Sequence, residues 1–141
     1  MNRQEKVIWA AGFFDGEGCI TGGKNSDGHY NLTLSIAQKV EEPLLVYVEL
    51  FGYPLVVQRR NTKEEHFQFR CGGQRMLPVL VALEPYLTFK RPQALLAIEF
   101  LQLTDGTRGM LVGPEVRRRR QEIYEELKAL KRPWELARRS S

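Results

Sequence analysis

The segment from Ala10 to Gly18 constrains the fold of this chain more than any other part of the sequence. It joins a helix-like apolar run to two acidic residues, Asp15 and Glu17, which are separated by Gly16 and followed by a strand-like sequence. A carboxylate at a helix C-terminus is unfavourable by about 0.3–1 kcal/mol, because the helix dipole places partial negative charge there. Carboxylate and carbonyl oxygens are ligands that Mg²⁺ and Mn²⁺ take, so the pattern favours a divalent-cation site. Read alone, it also fits an ordinary acidic turn rich in glycine.

Small residues dominate the middle of the same helix. Ala10, Ala11 and Gly12 stand between the aromatic residues Trp9 and Phe13. Glycine inside a helix costs about 0.5–1 kcal/mol relative to alanine, and close packing is a usual reason for it. One side of this helix can therefore admit another polypeptide backbone at short distance.

The nine residues from Ala10 to Gly18 resemble the signature helix of the LAGLIDADG homing endonucleases. The sequence departs from that signature at Ala10, where the family has Leu, and at Glu17, where it has a second Asp. The resemblance extends over roughly Trp9 to Leu103 and implies the αββαββα fold. It further implies cleavage of DNA across the minor groove, staggered ends with 3′ overhangs, and a gene carried within an intron.

Hydrophobic periodicity predicts the same order of elements without reference to the family. The predicted elements are helix 4–15, strand 19–22, strand 30–37, a helix from 42 that ends at Gly52, strands 55–61 and 66–71, and helices 74–83, 91–103 and 114–130. Two hairpins make one four-stranded antiparallel sheet with helices on its apolar face. We therefore expect an α+β fold in one domain, residues 1–141, with a core at about 4–104 and an extra C-terminal helical extension at about 114–132.

Composition agrees with one globular domain and narrows its location. The chain has 141 residues, 43% of them hydrophobic, and a net charge of +4. It shows neither an apolar run of about 18 residues nor an N-terminal signal core, so we expect a soluble intracellular protein, in the cytoplasm, nucleoid or an organelle matrix, with no membrane partner. Cys19 and Cys71 are isolated and predicted to be reduced packing residues. The run Arg117 to Arg120, with Arg138 and Arg139, suits contacts with phosphates and equally a solvated basic helix face.

The outer face of the predicted sheet is rich in Asn, Thr, Gln and Arg. A twisted antiparallel ribbon fits the major groove of B-DNA, where Arg side chains match guanine and Gln side chains match adenine. We therefore predict that double-stranded DNA is the partner, although each position singly fits a plain solvent-facing strand. The predicted DNA-contacting residues are Thr21, Lys24, Asn31, Thr33, Ser35, Gln58, Arg60, His66, Gln68 and Arg70.

Phosphodiester hydrolysis needs an activated water, neutralised phosphate charge and help for the leaving oxygen, which paired metal ions can supply. Glu17 is the predicted metal ligand, with the carbonyl of Gly16 beside it. Mg²⁺ is the expected cofactor, with Mn²⁺ able to substitute and Ca²⁺ supporting binding without cleavage.

The resemblance implies two further catalytic residues. Gln38 at the end of the second strand and Lys90 before a later helix occupy the matching places. Gln38 is expected to order the attacking water, and Lys90 to stabilise negative charge or adjust the acidity of that water. Family members often carry another basic residue a few positions after the Gln, whereas Glu41 and Glu42 stand here.

The motif occurs once, and the chain contains no internal repeat. One copy supplies one set of carboxylates, whereas cutting both strands needs two, so we expect an isologous homodimer on a long, near-palindromic target. The predicted interface residues are Trp9, Ala10, Gly12, Phe13 and Asp15. Asp15 is expected either to cap the helix end or to brace this interface.

Three other functions fit parts of the same sequence. One is a catalytically silent DNA-binding regulator of the same fold. Another is a maturase that binds its host intron RNA and assists splicing. The third is a basic α+β interaction domain whose motif match is accidental.

Overall fold

A computed structural model describes residues 1–59, 65–103 and 113–140, with the side chains of 59 and 132–140 excepted. The elements follow the order α1 (Arg3–Glu17), β1 (Gly18–Lys24), β2 (Tyr30–Gln38), α2 (Glu42–Phe51), β3 (Val56–Arg59), β4 (Glu65–Gly72), α3 (Met76–Leu83), α4 (Arg91–Gln102) and α5 (Pro114–Ser140). The predicted αββαββα order and α+β class are confirmed. Short 3-10 turns at Gly73–Arg75 and Glu84–Tyr86 flank α3.

Several predicted boundaries are shifted. α1 ends at Glu17 instead of Asp15, because the Gly18 N–H donates to the carbonyl of Phe14 and closes one further turn. α5 continues to Ser140, past the point where apolar periodicity stops. β3 ends at Arg59, and the predicted strand residues 60 and 61 lie outside the described residues.

The four strands form one antiparallel sheet in the order β1-β2-β4-β3. Ile20, Leu34 and Phe69 lie on one face of it and are fully buried. The helices supply the rest of the core from that side, and the short loop between β1 and β2 leaves the two strands in direct register from Gly18 opposite Ile36 to Lys24 opposite Tyr30.

Helix ends follow local sequence signals. Asn2 caps α1 in a reciprocal capping box with Glu5, which satisfies two backbone donors that a helix start leaves unpaired. α2 has Pro43 in its first turn and ends at Gly52, whose φ of 78° lies in the left-handed region that favours glycine. The hydroxyl of Tyr47 in α2 donates to the carbonyl of Ala10, which fixes α2 against α1.

In the described part of the chain, every helix is too short or too polar to cross a membrane.

Candidate active site and nucleic-acid interface

The acidic end of α1 runs directly into β1. Glu17 is the last residue of the helix and is exposed, while Gly18 is buried beneath it. A Cβ atom on Gly18 would lie 2.1 Å from the ring of Phe14, so the close approach of that ring requires glycine. The same test on Gly16 finds no neighbouring atom within 4 Å. Gly18 therefore serves packing, whereas Gly16 leaves the backbone beside Glu17 open.

Glu17 and Gln38 come together although 21 positions separate them in the sequence. Strand pairing brings the end of β2 beside the start of β1, with Ile36 opposite Gly18. Gln38 Nε2 then donates to Glu17 Oε2 over 3.2 Å. The structure thus unites the predicted metal ligand with the residue expected to order water.

Asp15 connects the end of α1 to the start of α4. Its two carboxylate oxygens accept hydrogen bonds from the backbone N–H groups of Thr88 (2.8 Å) and Lys90 (2.9 Å). A carboxylate is favourable there because the N-terminus of α4 carries partial positive charge. Of the two roles expected for Asp15, capping a helix end is the one observed. Its carboxylate is engaged within its own chain, and its predicted place at an interface between two chains stays a prediction.

Lys90 reaches the same corner from the start of α4. Its Nζ donates to the backbone carbonyl of Asp15 over 2.6 Å. A cation near the last carbonyls of a helix offsets the negative end of the dipole, so Lys90 compensates part of the cost of placing Glu17 there. Asp15 fixes the backbone of Lys90 and so helps to hold the ammonium group of Lys90 at the carbonyl of Asp15, the residue before Gly16.

A cavity of about 480 Å³ opens beside these groups. Gly16, Glu17 and Lys90 line it, together with two residues that sequence reasoning missed, Gln93 of α4 and Lys131 of α5. Gln93 is only 5% exposed, a polar residue at a buried helix position, which was the available signal. Lys131 gave no signal, because only the long-range packing of α5 brings it here.

The oxygen atoms near Glu17 are of the type that binds a divalent cation, but one chain offers fewer of them than a complete coordination shell needs. The carboxylate of Glu17 and the carbonyl of Gly16 are hard oxygen ligands of the type Mg²⁺ prefers. The carboxylate of Asp15 is engaged by two N–H groups. Within the described residues, no group of three or more His, Cys, Asp and Glu side chains converges as a metal site. One chain therefore supplies part of a coordination shell.

The polar face of the sheet lies opposite Ile20, Leu34 and Phe69. Strand register places eight of the predicted DNA-contacting residues on it: Thr21, Asn31, Thr33, Ser35, Gln58, His66, Gln68 and Arg70. Cys19, Ala37 and Val56 share this face and were not predicted. Because their side chains are apolar or weakly polar, composition gave no reason to select them.

Two predicted DNA contacts, Lys24 and Arg60, are not among the residues that the structure places on the polar face. Lys24 alternates with Ile20 and Gly22, so it falls on the helix side of the sheet, with Nζ 5.7 Å from the centre of the Tyr30 ring. Lys24 therefore lies off the polar face, and its predicted contact with DNA stays a prediction. Arg60 lies outside the described residues.

Hydrogen bonds already order part of the polar face. Gln58 Nε2 donates to Gln68 Oε1 over 3.2 Å, which holds these two amides beside each other across β3 and β4. Thr21 Oγ1 is 3.4 Å from the carbonyl of Thr33. Arg70, opposite Ser35, is exposed. The face thus presents amide, hydroxyl and guanidinium groups to an external partner.

Solved structures of homing endonucleases share this architecture. I-CvuI in complex with its target in the presence of Ca²⁺ matches with a TM-score of 0.70 and 26% identity, over 91% of this chain and 83% of that chain. The archaeal intron-encoded I-Vdi141I complexed with DNA gives 0.72 and 18%, over 89% and 84%. The chain is thus similar to the LAGLIDADG homing endonucleases in its fold as well as in its signature segment. No protein-family model and no curated protein sequence matches it.

A longer family member shows how much of its chain this fold occupies. The LAGLIDADG meganuclease I-AabMI, bound to uncleaved DNA, matches with a TM-score of 0.66 and 19% identity. The match covers 84% of this chain but 43% of that one. The I-AabMI chain thus has room for a second unit of similar size.

Helix α1 has one face buried and one face exposed. Ala10 and Ala11 are fully buried, so the predicted contact of Ala10 with a partner is wrong: its small side chain serves packing inside the protomer. Trp9 is exposed and stacks on Phe13, with ring centres 5.1 Å apart. A Cβ atom on Gly12 would meet no atom within 4 Å. Ile8, Phe89 and Gly16 are also exposed, and Phe89 and Gly16 line the same cavity as Gly12.

Proposed function

We propose that the protein is a site-specific homing endonuclease. It hydrolyses both strands of a long, near-palindromic double-stranded DNA target as a homodimer, in a divalent-metal-dependent reaction that leaves 3′ overhangs. The observation that carries this proposal is the convergence of Glu17, Gln38 and Lys90 at the end of the LAGLIDADG helix, next to the polar face of the sheet. Residues 4–104 form the catalytic core of one domain in this proposal, and α5 is an extension of it.

The polar face supports DNA as the partner. Its side chains are those that read base edges in the major groove, and a four-stranded antiparallel sheet has the twist to follow that groove. I-CvuI and I-Vdi141I, which share this fold, were solved in complex with DNA. A sheet face of this composition accounts for sequence specificity, while the net charge of +4 favours association with a polyanion.

The active-site chemistry follows from the donors in the corner between α1, β2 and α4. Glu17 and the carbonyl of Gly16 would hold Mg²⁺, which supplies Lewis-acid stabilisation of the phosphate and a more acidic bound water. Mn²⁺ is expected to substitute, and Ca²⁺ to support binding alone. Gln38 keeps its amide oxygen for a water molecule while its Nε2 bonds Glu17. Lys90 contributes positive charge where negative charge develops on the phosphate.

A second copy completes the site. One chain brings one such carboxylate, and cutting two strands needs two. The exposed face of α1, with Trp9, Gly12 and Gly16, offers a surface where two helices can approach closely. The symmetry of such a dimer would place both Glu17 residues near one axis, and the DNA target would be near-palindromic for the same reason.

The test is cleavage of DNA by the full chain. A randomised duplex library is first enriched for binding in Ca²⁺ and then incubated with Mg²⁺, and the released ends are sequenced. We expect staggered cuts with 3′ overhangs at a near-palindromic motif, and at least about a thousandfold loss for Glu17→Gln, since a metal ligand supports several kcal/mol of barrier reduction. Glu125→Gln, the same charge change at an exposed position of α5, is the matched control.

Enrichment without cuts would favour the silent regulator instead. Binding to a folded intron RNA in preference to duplex DNA would favour the maturase. Cleavage that persists in Glu17→Gln would contradict the assigned role of this carboxylate.

A further inference from the structure

A second pocket lies at the far end of β1 from Glu17. It has a volume of about 370 Å³ and is formed by the tip of the β1–β2 hairpin and the first turns of α5. Its lining contains four basic side chains, Lys24, Arg117, Arg118 and Arg120, and one carboxylate, Asp27. The charge of the pocket is therefore strongly positive.

Arg120 is buried in this pocket, and within the described residues no carboxylate forms an ion pair with it. Its side chain is 6% exposed and lies over the ring of Phe100, with 5.7 Å between the guanidinium carbon and the ring centre. Within the described residues, its Nε has no hydrogen-bond partner. Burying a cation that lacks a partner is unfavourable, and here desolvation lowers the pKa of Arg120. A bound anion would remove this penalty.

The neighbouring residue Arg119, in contrast to Arg120, is paired with carboxylates. Arg119 bonds three carboxylates, those of Glu99, Glu122 and Glu126. These acids of α4 and α5 thus converge on the residue next to Arg120. These three carboxylates are paired with Arg119 and do not line the pocket, whose lining stays basic.

The single carboxylate of the pocket is engaged within the hairpin. Asp27 Oδ1 accepts the backbone N–H of His29 over 3.0 Å and lies 3.1 Å from its Nδ1. The bond from the His29 backbone lowers the pKa of Asp27. On the opposite wall, Arg117 Nη2 lies 3.4 Å from His29 Nε2.

The N-terminus of α5 adds a partial positive charge. α5 is 27 residues long and begins at Pro114, which lines the pocket. The first N–H groups of a helix and its dipole favour phosphate groups. Several arginines around such a helix start match the geometry and charge of a phosphate.

We propose that this pocket binds one phosphate of the nucleic-acid backbone, on the outer part of each half of the DNA target. This inference rests on the proposed function, because the DNA supplies the phosphate. β1 runs from Gly18 beside Glu17 to Lys24 at the pocket, six residue steps of about 3.3 Å or roughly 20 Å in all. At about 3.4 Å per base pair, the phosphate lies on the order of six base pairs from the centre of the target.

The test uses the full-length protein and its selected duplex, with a single uncharged methylphosphonate placed at successive positions. For the wild type, we expect weaker binding at one position per half-site, near six base pairs from the centre. Arg117→Gln should show the same loss on unmodified DNA and no further loss with the methylphosphonate there, because both changes remove the same ion pair. The slope of log K against log salt should fall by about 0.9 for each phosphate that the protein no longer neutralises.

Two controls accompany this measurement. Arg3→Gln removes the same charge at the start of α1, where Arg3 bonds the carbonyl of Leu50 and does not line the pocket, and it should leave the methylphosphonate effect intact. Arg117 is exposed, so thermal unfolding of Arg117→Gln should match that of the wild type.

A second experiment distinguishes a phosphate of DNA from free phosphate as the ligand of the pocket. Inorganic phosphate is titrated without DNA, and the Nε–H signal of Arg120 is followed by NMR against chloride at equal ionic strength. We expect a saturable shift that Arg117→Gln weakens. A shift without coupling at any methylphosphonate position would overturn the DNA assignment in favour of free phosphate. If the Arg120 signal does not shift and no methylphosphonate position is coupled to Arg117, while the target is still cleaved, the pocket is not a phosphate site. The proposed endonuclease function would then still stand.

Discussion

The two faces of the sheet differ in what they contact: one packs against helices of the same chain, and the other is open to another molecule. On β2, Leu34 points into the core and is fully buried, whereas its neighbours Thr33 and Ser35 point to the polar face. α1 repeats this division, since Ala11 is buried in the protomer while Gly12 is exposed. The apolar face is satisfied within one chain and determines the fold. The exposed faces carry polar and small residues that another molecule can contact, and these carry the proposed function.

The largest expected change in the free energy of unfolding comes from a substitution on the apolar face of the sheet. Leu34→Ala should lower the free energy of unfolding by about 2–5 kcal/mol, because it leaves a cavity at a fully buried position. Thr33→Ala, one residue away on the other face, should change it by no more than about 0.5 kcal/mol. Urea unfolding of both variants measures the difference. Equal losses would show that both faces are packed.

The two sides of α1 give the next contrast. Ala11→Leu should cost about 1–3 kcal/mol of stability through overpacking in the core. Gly12→Leu should leave stability unchanged or raise it by about 0.5–1 kcal/mol, since glycine disfavours helix and the added side chain meets open space. It should nevertheless block the dimer by keeping two helices apart. Sedimentation and thermal unfolding of both variants test this, and a Gly12→Leu dimer of normal affinity would contradict it.

Arg70 tests the polar face itself. Arg70→Ala should weaken binding to the selected duplex by about 1–3 kcal/mol and relax the preference at one base pair, because the variant cannot form a bidentate hydrogen bond with guanine. The free energy of unfolding should stay within about 0.5 kcal/mol of the wild type, since the side chain is exposed. Binding to a library of single-base variants measures both changes. Unchanged affinity and preference would remove Arg70 from the interface.

The two cysteines give the smallest contrast. Burial raises the pKa of Cys71 to about 11, so the folded state holds the proton where the unfolded chain releases it. The contribution of this thiol to stability is therefore present below about pH 9 and is lost as the pH rises toward 11. The stability difference between wild type and Cys71→Ala should narrow over that window. A constant difference would contradict the assignment.

Cys19 should behave differently from Cys71 toward alkylating reagents. It lies on the polar face beside Ser35 and is partly exposed, so it should be alkylated faster than buried Cys71. Target DNA should protect Cys19. Equal labelling with and without DNA, measured by mass spectrometry, would show that this end of the face stays uncovered.

Local patterns predicted the elements and most of their faces. The alternation from Tyr30 onward placed Thr33 and Ser35 correctly, because successive side chains of a strand point to opposite sides. The same rule places Lys24 with Ile20 on the helix side of the sheet. The resemblance to the family signature selected Glu17, Gln38 and Lys90, and the structure brings these three residues close together.

Long-range packing could not be read in the same way. Ala10 and Gly12 are both small, and only the position of α2, with Tyr47 bonded to Ala10, shows which of them is exposed. Lys131 and Arg120 acquire their surroundings from the docking of α5 on β1 and α4. A sequence pattern shows that this helix has an apolar side, but it does not show where that side binds.

The most direct test of the account is the number of chains on one target. Native mass spectrometry of the full-length protein with its selected duplex in Ca²⁺ should give a complex of two chains and one duplex. Gly12→Leu should reduce this complex while the chain stays folded. A single chain on the duplex that still cuts both strands in Mg²⁺ would contradict the proposal that each copy contributes one Glu17 and one polar face.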